Sequence, residues 1–238
     1  MAKLVFDIET AGEDFESFDK TTQEVLTRWV ENSIVEDSDE YEKAIERVKH
    51  DTVFSPLTSE VVAIGVLDCE KEKSVVYFQA PGEKLGNKEE GNVTYKQATE
   101  KEMLESFWRG VNEYDEFISF NGRGFDVPFL MIRSAIHNVR PTKNLIGPRY
   151  LYQHPQGAVH VDLQDQLTFY GAMRKTGMSL HMFARAFGIE SPKEDGVSGD
   201  DVTRLFREKK YLDIARYNAN DLTATKELYD YWNSYLRF

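Results

Sequence analysis

The chain has 238 residues, 41% hydrophobic and 29% charged, with 15 Phe and 12 Tyr, the composition of a globular protein with large rings for a core. A formal charge of −12, from 41 acidic and 29 basic side chains, excludes a protein that grips nucleic acid over a broad basic surface. The one cysteine, Cys69, excludes an internal disulfide and a cysteine-based zinc site.

The first residues are too short a run, and too soon charged, for a signal peptide; residues 3–9 read as a first β-strand. A polar stretch from Ala11 to Ser59 follows. Within it Val25, Leu26, Trp29 and Val30 recur at helical spacing between Thr21 and Ile34, and Asp39 to Val48 forms a second, highly charged helical pattern. With so few apolar residues, 11–59 is expected to lack a core of its own and to cover one edge of the domain as an acidic, partly helical insertion. Val61 to Leu67 is a continuous apolar run typical of a buried strand, with Ser74 to Gln79 as its hairpin partner. Pro81 to Val93, rich in Gly, Lys and Glu, reads as a loop.

Thr99 to Glu113 is an amphipathic helix opened by a Thr99–Glu102 capping box. Glu116 to Phe120 is a strand, followed by a turn at 121–124 and a helix from Asp126 to His137 with Pro128 in its first turn. Asn138 to Gly157 is irregular and Val159 to Leu163 a short strand. Helices at Leu180 to Phe187, Asp200 to Lys209 and Tyr211 to about Leu236 close the chain. This order predicts an α/β fold, a mixed central sheet flanked by helices, forming a single domain over 1–238. No apolar stretch approaches ~20 residues, so no membrane span is expected, and a cytoplasmic location is.

Three segments carry candidate chemistry. In Phe6-Asp7-Ile8-Glu9-Thr10, residues two apart on a strand share a face, so Asp7 and Glu9 project together. Two like charges on a largely buried strand are costly without compensation, and a divalent cation is one compensation; a solvent-facing strand end is the plainer account. In Asn121-Gly122-Arg123-Gly124-Phe125-Asp126 the glycines permit unusual backbone angles and close approach of a ligand. Asp126 then sits where a helix dipole also favours an acid. In Tyr217-Asn218-Ala219-Asn220-Asp221 a spacing of four places Tyr217 and Asp221 on one helix face, which helix–sheet packing alone also explains.

Together, in order and spacing, the three resemble the exonuclease motifs of the DnaQ-like DEDD superfamily: D-x-E at Asp7 and Glu9, N-x3-F-D at Asn121, Phe125 and Asp126, Y-x3-D at Tyr217 and Asp221. The wording of the first two, with His160-Val161-Asp162-Leu163 and Ser198-Gly199-Asp200-Asp201-Val202, looks most like the stand-alone polymerase-B-like exonucleases, kin of the proofreading domain of family B DNA polymerases. A related branch carries a histidine five residues before the last aspartate; Arg216 stands there, so the resemblance is to the tyrosine (DEDDy) branch. One helix follows the third motif, and no polymerase domain is expected.

The resemblance implies an RNase H-like fold and a 3′–5′ exonuclease acting on 3′ ends of single-stranded nucleic acid, DNA ahead of RNA. It implies release of nucleoside monophosphates with two divalent ions, Mg²⁺ or Mn²⁺, which oxygen-only ligands favour. Asp7 would bridge the ions, Glu9 and Asp221 complete the site that activates the attacking water, Asp126 hold the second ion, and Tyr217 orient the water. Phe125 and Ile8 would stack against or wedge between terminal bases; for Phe125 an ordinary core position is the other account. Thr10 and the backbone near Glu9 would meet the terminal 3′-hydroxyl, and Asn121 the penultimate nucleotide. Asp162 reads either as a supporting acid or as a helix cap, and Arg123, Arg174 and Lys175 as phosphate contacts or solvated surface. An exoribonuclease or oligonucleotide degrader is the alternative within enzymes, and an inactive nucleic-acid-binding module the one outside them.

Overall fold

The computed structural model describes residues 1–34, 38–173, 177–190 and 199–238, with only the backbone of Asp200. Arg174, Lys175 and Ser198 lie outside the described residues. Seven strands form one mixed sheet: β1 (Lys3–Gly12), β2 (Ser59–Asp68), β3 (Lys73–Phe78), β4 (Lys88–Glu90), β5 (Val93–Gln97), β6 (Glu116–Ser119) and β7 (Val159–Asp162). Their order across the sheet is β4-β5-β3-β2-β1-β6-β7. The helices are α1 (Lys20–Ser33), α2 (Asp39–Asp51), α3 (Glu100–Gly110), α4 (Asp126–Ile136), α5 (Leu163–Leu167), α6 (Leu180–Phe187), α7 (Val202–Arg207) and α8 (Tyr211–Tyr235).

β1 lies inside the sheet, antiparallel to β2 and parallel to β6, which is why its side chains are buried on both faces. The alternation of its residues separates two cores. Leu4, Phe6 and Ile8 pack with Phe107, Trp108, Phe117 and Phe129 on the side of α3 and α4. Val5 and Ala11 pack with Ile214, Leu222 and Leu228 of α8 on the opposite face. Asp7 and Glu9 share the parity of Val5 and so point toward α8. The strand is not regular throughout: the register with β2 shifts between Glu9 and Thr10, a bulge of the kind that re-aims side chains beside sites.

The Thr99 capping box at α3 forms as its sequence predicts, with Thr99 and Glu102 bonded reciprocally. The segment 81–93 differs from the expected loop. Part of it, with the residues after it, adds β4 and β5 to the sheet edge, β5 parallel to β3. All of Lys88–Glu90 is exposed, so no alternation betrays the strand, and charge on an edge strand is what blunts it against further pairing.

The insertion also differs from expectation. It builds a small cluster of its own around Phe15, Val30, Ala44 and Val48. Of the α1 residues at helical spacing, Val30 is buried, while Val25 and Trp29 are more than half exposed. The apolar face of α1 is thus narrower than its sequence suggests, and the cluster is small enough that composition hides it.

Candidate metal and strand-end site

The carboxylates of Asp7, Glu9 and Asp221 each bring an oxygen within 4.8 Å of the others. Strand parity and the position of α8 cause this: β1 supplies two acids on one face, and α8 crosses that face with Asp221 one helical turn after Tyr217. Asp126 is outside this three-acid group but beside it, because its Oδ1 accepts a hydrogen bond from the Ile8 amide at 3.1 Å. The reason is a short neighbour. β6 pairs only with Lys3 to Val5, so beyond Val5 that edge of β1 has no ladder partner, and the buried Ile8 N–H takes the carboxylate instead.

Burial, first, and then the charges of Asp126, Asp221 and Glu9 push the Asp7 carboxyl well above the usual carboxylate range. Burial and the charge of Asp221 do the same to Glu9. Burial, with the charges of Asp162 and Asp221, pushes Asp126 up to about 7. Asp7, Glu9 and Asp126 are each raised by burial and by neighbouring acids, the behaviour of carboxylates without a counter-charge. Glu9 Oε1 is buried with no hydrogen-bond partner. An all-oxygen donor set of this kind fits hard divalent cations, so the residues present fit the metal that the motifs imply.

Tyr217 is 7% exposed. Burial and the charges of Asp221, Glu9 and Asp7 drive its phenol far above the ordinary tyrosine value, and it is hydrogen-bonded to Asp221. It is a neutral hydrogen-bonding group here. Arg216, at the position where the related branch has histidine, points elsewhere, paired with Glu90 of β4 at 2.6 Å.

The turn between β6 and α4 is built by Asp162, whose carboxylate accepts the amides of Asn121 at 2.9 Å and Arg123 at 3.0 Å. The same carboxylate caps α5 through Gln164 N, so Asp162 is a cap and a support at once. The unusual backbone angle falls on Asn121, with φ of 63°, and not on Gly122 or Gly124. Gly122 is required for space: a Cβ there would lie 2.1 Å from Ser119 Oγ.

The proposed strand-contacting residues are unevenly placed. Ile8 is 4% exposed and packs in the core beneath the sheet, so its side chain offers no face to a base. Thr10 donates its hydroxyl to Val53 O at 3.0 Å and ties β1 to the end of the insertion. Asn121 is half-buried at the turn. Phe125 is half-buried, with its ring 4.7 Å from Phe129 and 6.4 Å from Phe54. Arg123 bonds backbone carbonyls at Gly147 and Pro148 and is committed to that loop.

Two residues without a role in the sequence reading belong to the site. Asn218 is fully buried and donates Nδ2 to Asp7 Oδ2 at 2.7 Å; its hydrogen bond also opposes the upward shift of Glu9. Gly65 lies opposite Asp7 in the sheet, and a Cβ on it would meet Asn218 Oδ1 at 1.9 Å. A lone glycine inside an apolar strand signals close approach of another group, and Gly65 carried that signal.

An acid cluster on an inner strand of a mixed sheet, faced by a helix that crosses it, is set in a fold of the RNase H-like class. Residues 56–236 match the family described as a predicted 3′–5′ exonuclease related to the exonuclease domain of PolB, and the chain belongs to that family. It is therefore an enzyme of the 3′–5′ exonuclease class. The match begins after β1, so Asp7 and Glu9 stand outside it. The fold is similar to the family B DNA polymerase from the hyperthermophilic archaeon Pyrobaculum calidifontis, with a TM-score of 0.57 and 18% identity, over 98% of this chain and 24% of that one. No curated protein matches the chain. Among the described residues no helix is long and apolar enough to cross a membrane.

Proposed function

We propose that the chain works as one domain that shortens single-stranded nucleic acid from the 3′ end, DNA ahead of RNA, releasing nucleoside monophosphates. Asp7, Glu9, Asp126 and Asp221 would hold two divalent ions, Mg²⁺ or Mn²⁺. The observation that carries this is the meeting of Asp7, Glu9 and Asp221 within 4.8 Å of one another, with Glu9 Oε1 buried and unpartnered. Bound divalent ions supply acidification of the attacking water and neutralisation of charge on the phosphate and the leaving oxygen.

The protein's own groups do the rest. Asp7 is held in place by Asn218, so its carboxylate is oriented before any ligand arrives. Tyr217, kept neutral, orients the attacking water by hydrogen bonding and does not remove its proton. Asp126, anchored on the Ile8 amide, would help hold the second ion. Phe125 meets a terminal base, Asn121 the following nucleotide, and the β1 backbone at Glu9 the terminal 3′-hydroxyl. Thr10 shapes that backbone through Val53.

The test is a gel of 5′-labelled single-stranded DNA and RNA with Mg²⁺, Mn²⁺ or EDTA. A metal-dependent ladder that shortens from the 3′ end, faster on DNA, is the expected result. No cleavage with either ion, or products released from the 5′ end, contradicts it.

A further inference from the structure

The insertion ends in a row of rings that continues outward from Phe125. His50 at the end of α2 lies 5.7 Å from Phe54, Phe54 lies 6.4 Å from Phe125, and Phe125 lies 4.7 Å from Phe129. The row runs from a buried ring to open solvent: Phe129 is 1% exposed and Phe54 is 51% exposed. Both of its central members are tied to the acid cluster through the backbone. Phe125 directly precedes Asp126. Phe54 follows Val53, whose carbonyl accepts the Thr10 hydroxyl next to Glu9. Phe54 and Phe125 meet edge to face, at 67°, which leaves ring surface of Phe54 uncovered beside the end of β1.

Phe54 is not part of the insertion's own core of Phe15, Val30, Ala44 and Val48; its ring touches His50 and Phe125 and is otherwise half exposed. An exposed ring contiguous with a strand-end site is what sequence-tolerant binding of single strands uses, since every base has a π-face. The protein's net charge of −12 makes stacking more useful here than phosphate attraction.

We infer that Phe54, delivered by the insertion and backed by Phe125, stacks on an unpaired base of the nucleic acid upstream of the scissile end, and so selects single strands. The inference rests on the exonuclease reading above. Stacking is available only to an unpaired base, so a paired end must fray before it engages.

The experiment compares wild type, Phe54→Ala and Phe54→Trp on two substrates and in one binding assay. The substrates are an oligothymidylate and the p-nitrophenyl ester of thymidine 5′-monophosphate, which has no upstream base. The binding assay follows the anisotropy of a fluorescent oligothymidylate in EDTA, where no cleavage competes. For Phe54→Ala we expect KM and Kd for the oligonucleotide to rise about tenfold, within the range for one aromatic–base stack. Ester hydrolysis should be unchanged, and Trp should restore oligonucleotide binding. Unchanged oligonucleotide KM and Kd in an active Phe54→Ala protein overturns the inference alone. So does equal loss on both substrates, which marks a structural role. A wild type that hydrolyses neither substrate removes the exonuclease reading and the platform with it.

Discussion

Asp7 is the side chain on which the other groups of the site converge. Its carboxyl is raised by burial and then by three neighbouring acids, and restrained by one amide. Replacing it with Asn should leave almost no nuclease activity, whereas Tyr217→Phe should keep a measurable fraction, since a neutral phenol contributes orientation and not proton removal. Steady-state kcat on a labelled oligonucleotide compares them, and equal residual rates would contradict the division of labour. Asn218→Leu should weaken divalent-ion affinity, read by calorimetry, by roughly tenfold, the usual size of losing a group that orients a metal ligand. Gly65→Ala should reproduce that loss from the opposite strand, because its methyl would occupy the space of Asn218 Oδ1. Wild-type affinity in both variants would show that Asp7 needs no such restraint.

At the scale of elements, Glu100 ties three of them together. Placed in the first turn of α3 and 4% exposed, it accepts the Val61 amide of β2 at 2.8 Å. It also accepts Arg133 Nε and Nη2 of α4, each at 2.7 Å, and pairs with His137 just beyond α4 at 2.7 Å. Burial alone would raise its carboxyl, but these donors outweigh it and hold the group below its ordinary value. Glu100→Ala leaves Arg133 unpaired and should cost about 3–5 kcal/mol, measured as a lower urea midpoint. A midpoint within error of wild type would mean that water replaces the carboxylate. The cap at Thr99 is legible in the sequence and this tie is not, because capping is local whereas Arg133 reaches Glu100 only through the packing of α4 on α3. For the same reason β4 went unseen: an exposed, charged edge strand exists only because β5 is there to pair with it.

For the whole molecule, the acid cluster couples folding to metal and to pH. An unfolded aspartate titrates near ~4, and Asp126 in the fold is pushed up to about 7. Between those values the folded, metal-free protein holds a proton that the unfolded chain has lost, so stability falls as pH rises through that window. In EDTA, Asp126→Asn should therefore raise Tm at pH 8 and leave it nearly unchanged at pH 4. Adding Mg²⁺ or Mn²⁺ to wild type at pH 8 should raise Tm in proportion to the logarithm of ion concentration, and should do so less in Asp126→Asn. A thermal-shift series checks both, and a wild-type Tm indifferent to the ions at pH 8 would show that the cluster does not bind them.

Much of this was present in the linear chain. The parity of Asp7 and Glu9, the helical spacing of Tyr217 and Asp221, and the alternation of strands with helices are periodicities that backbone geometry imposes on neighbours; the alternation indicated the fold, while the candidate site residues, Asp126 among them, came from the resemblance of the three motifs taken together. Tertiary structure alone decided that Asp126 attaches to β1 through the Ile8 amide, that Ile8 is turned into the core, and that Asn218 holds Asp7. It also brought Phe54 beside Phe125. These depend on where β6 stops and how α8 and the insertion lie on the sheet, and such long-range placement follows from packing many segments at once, which no local pattern encodes.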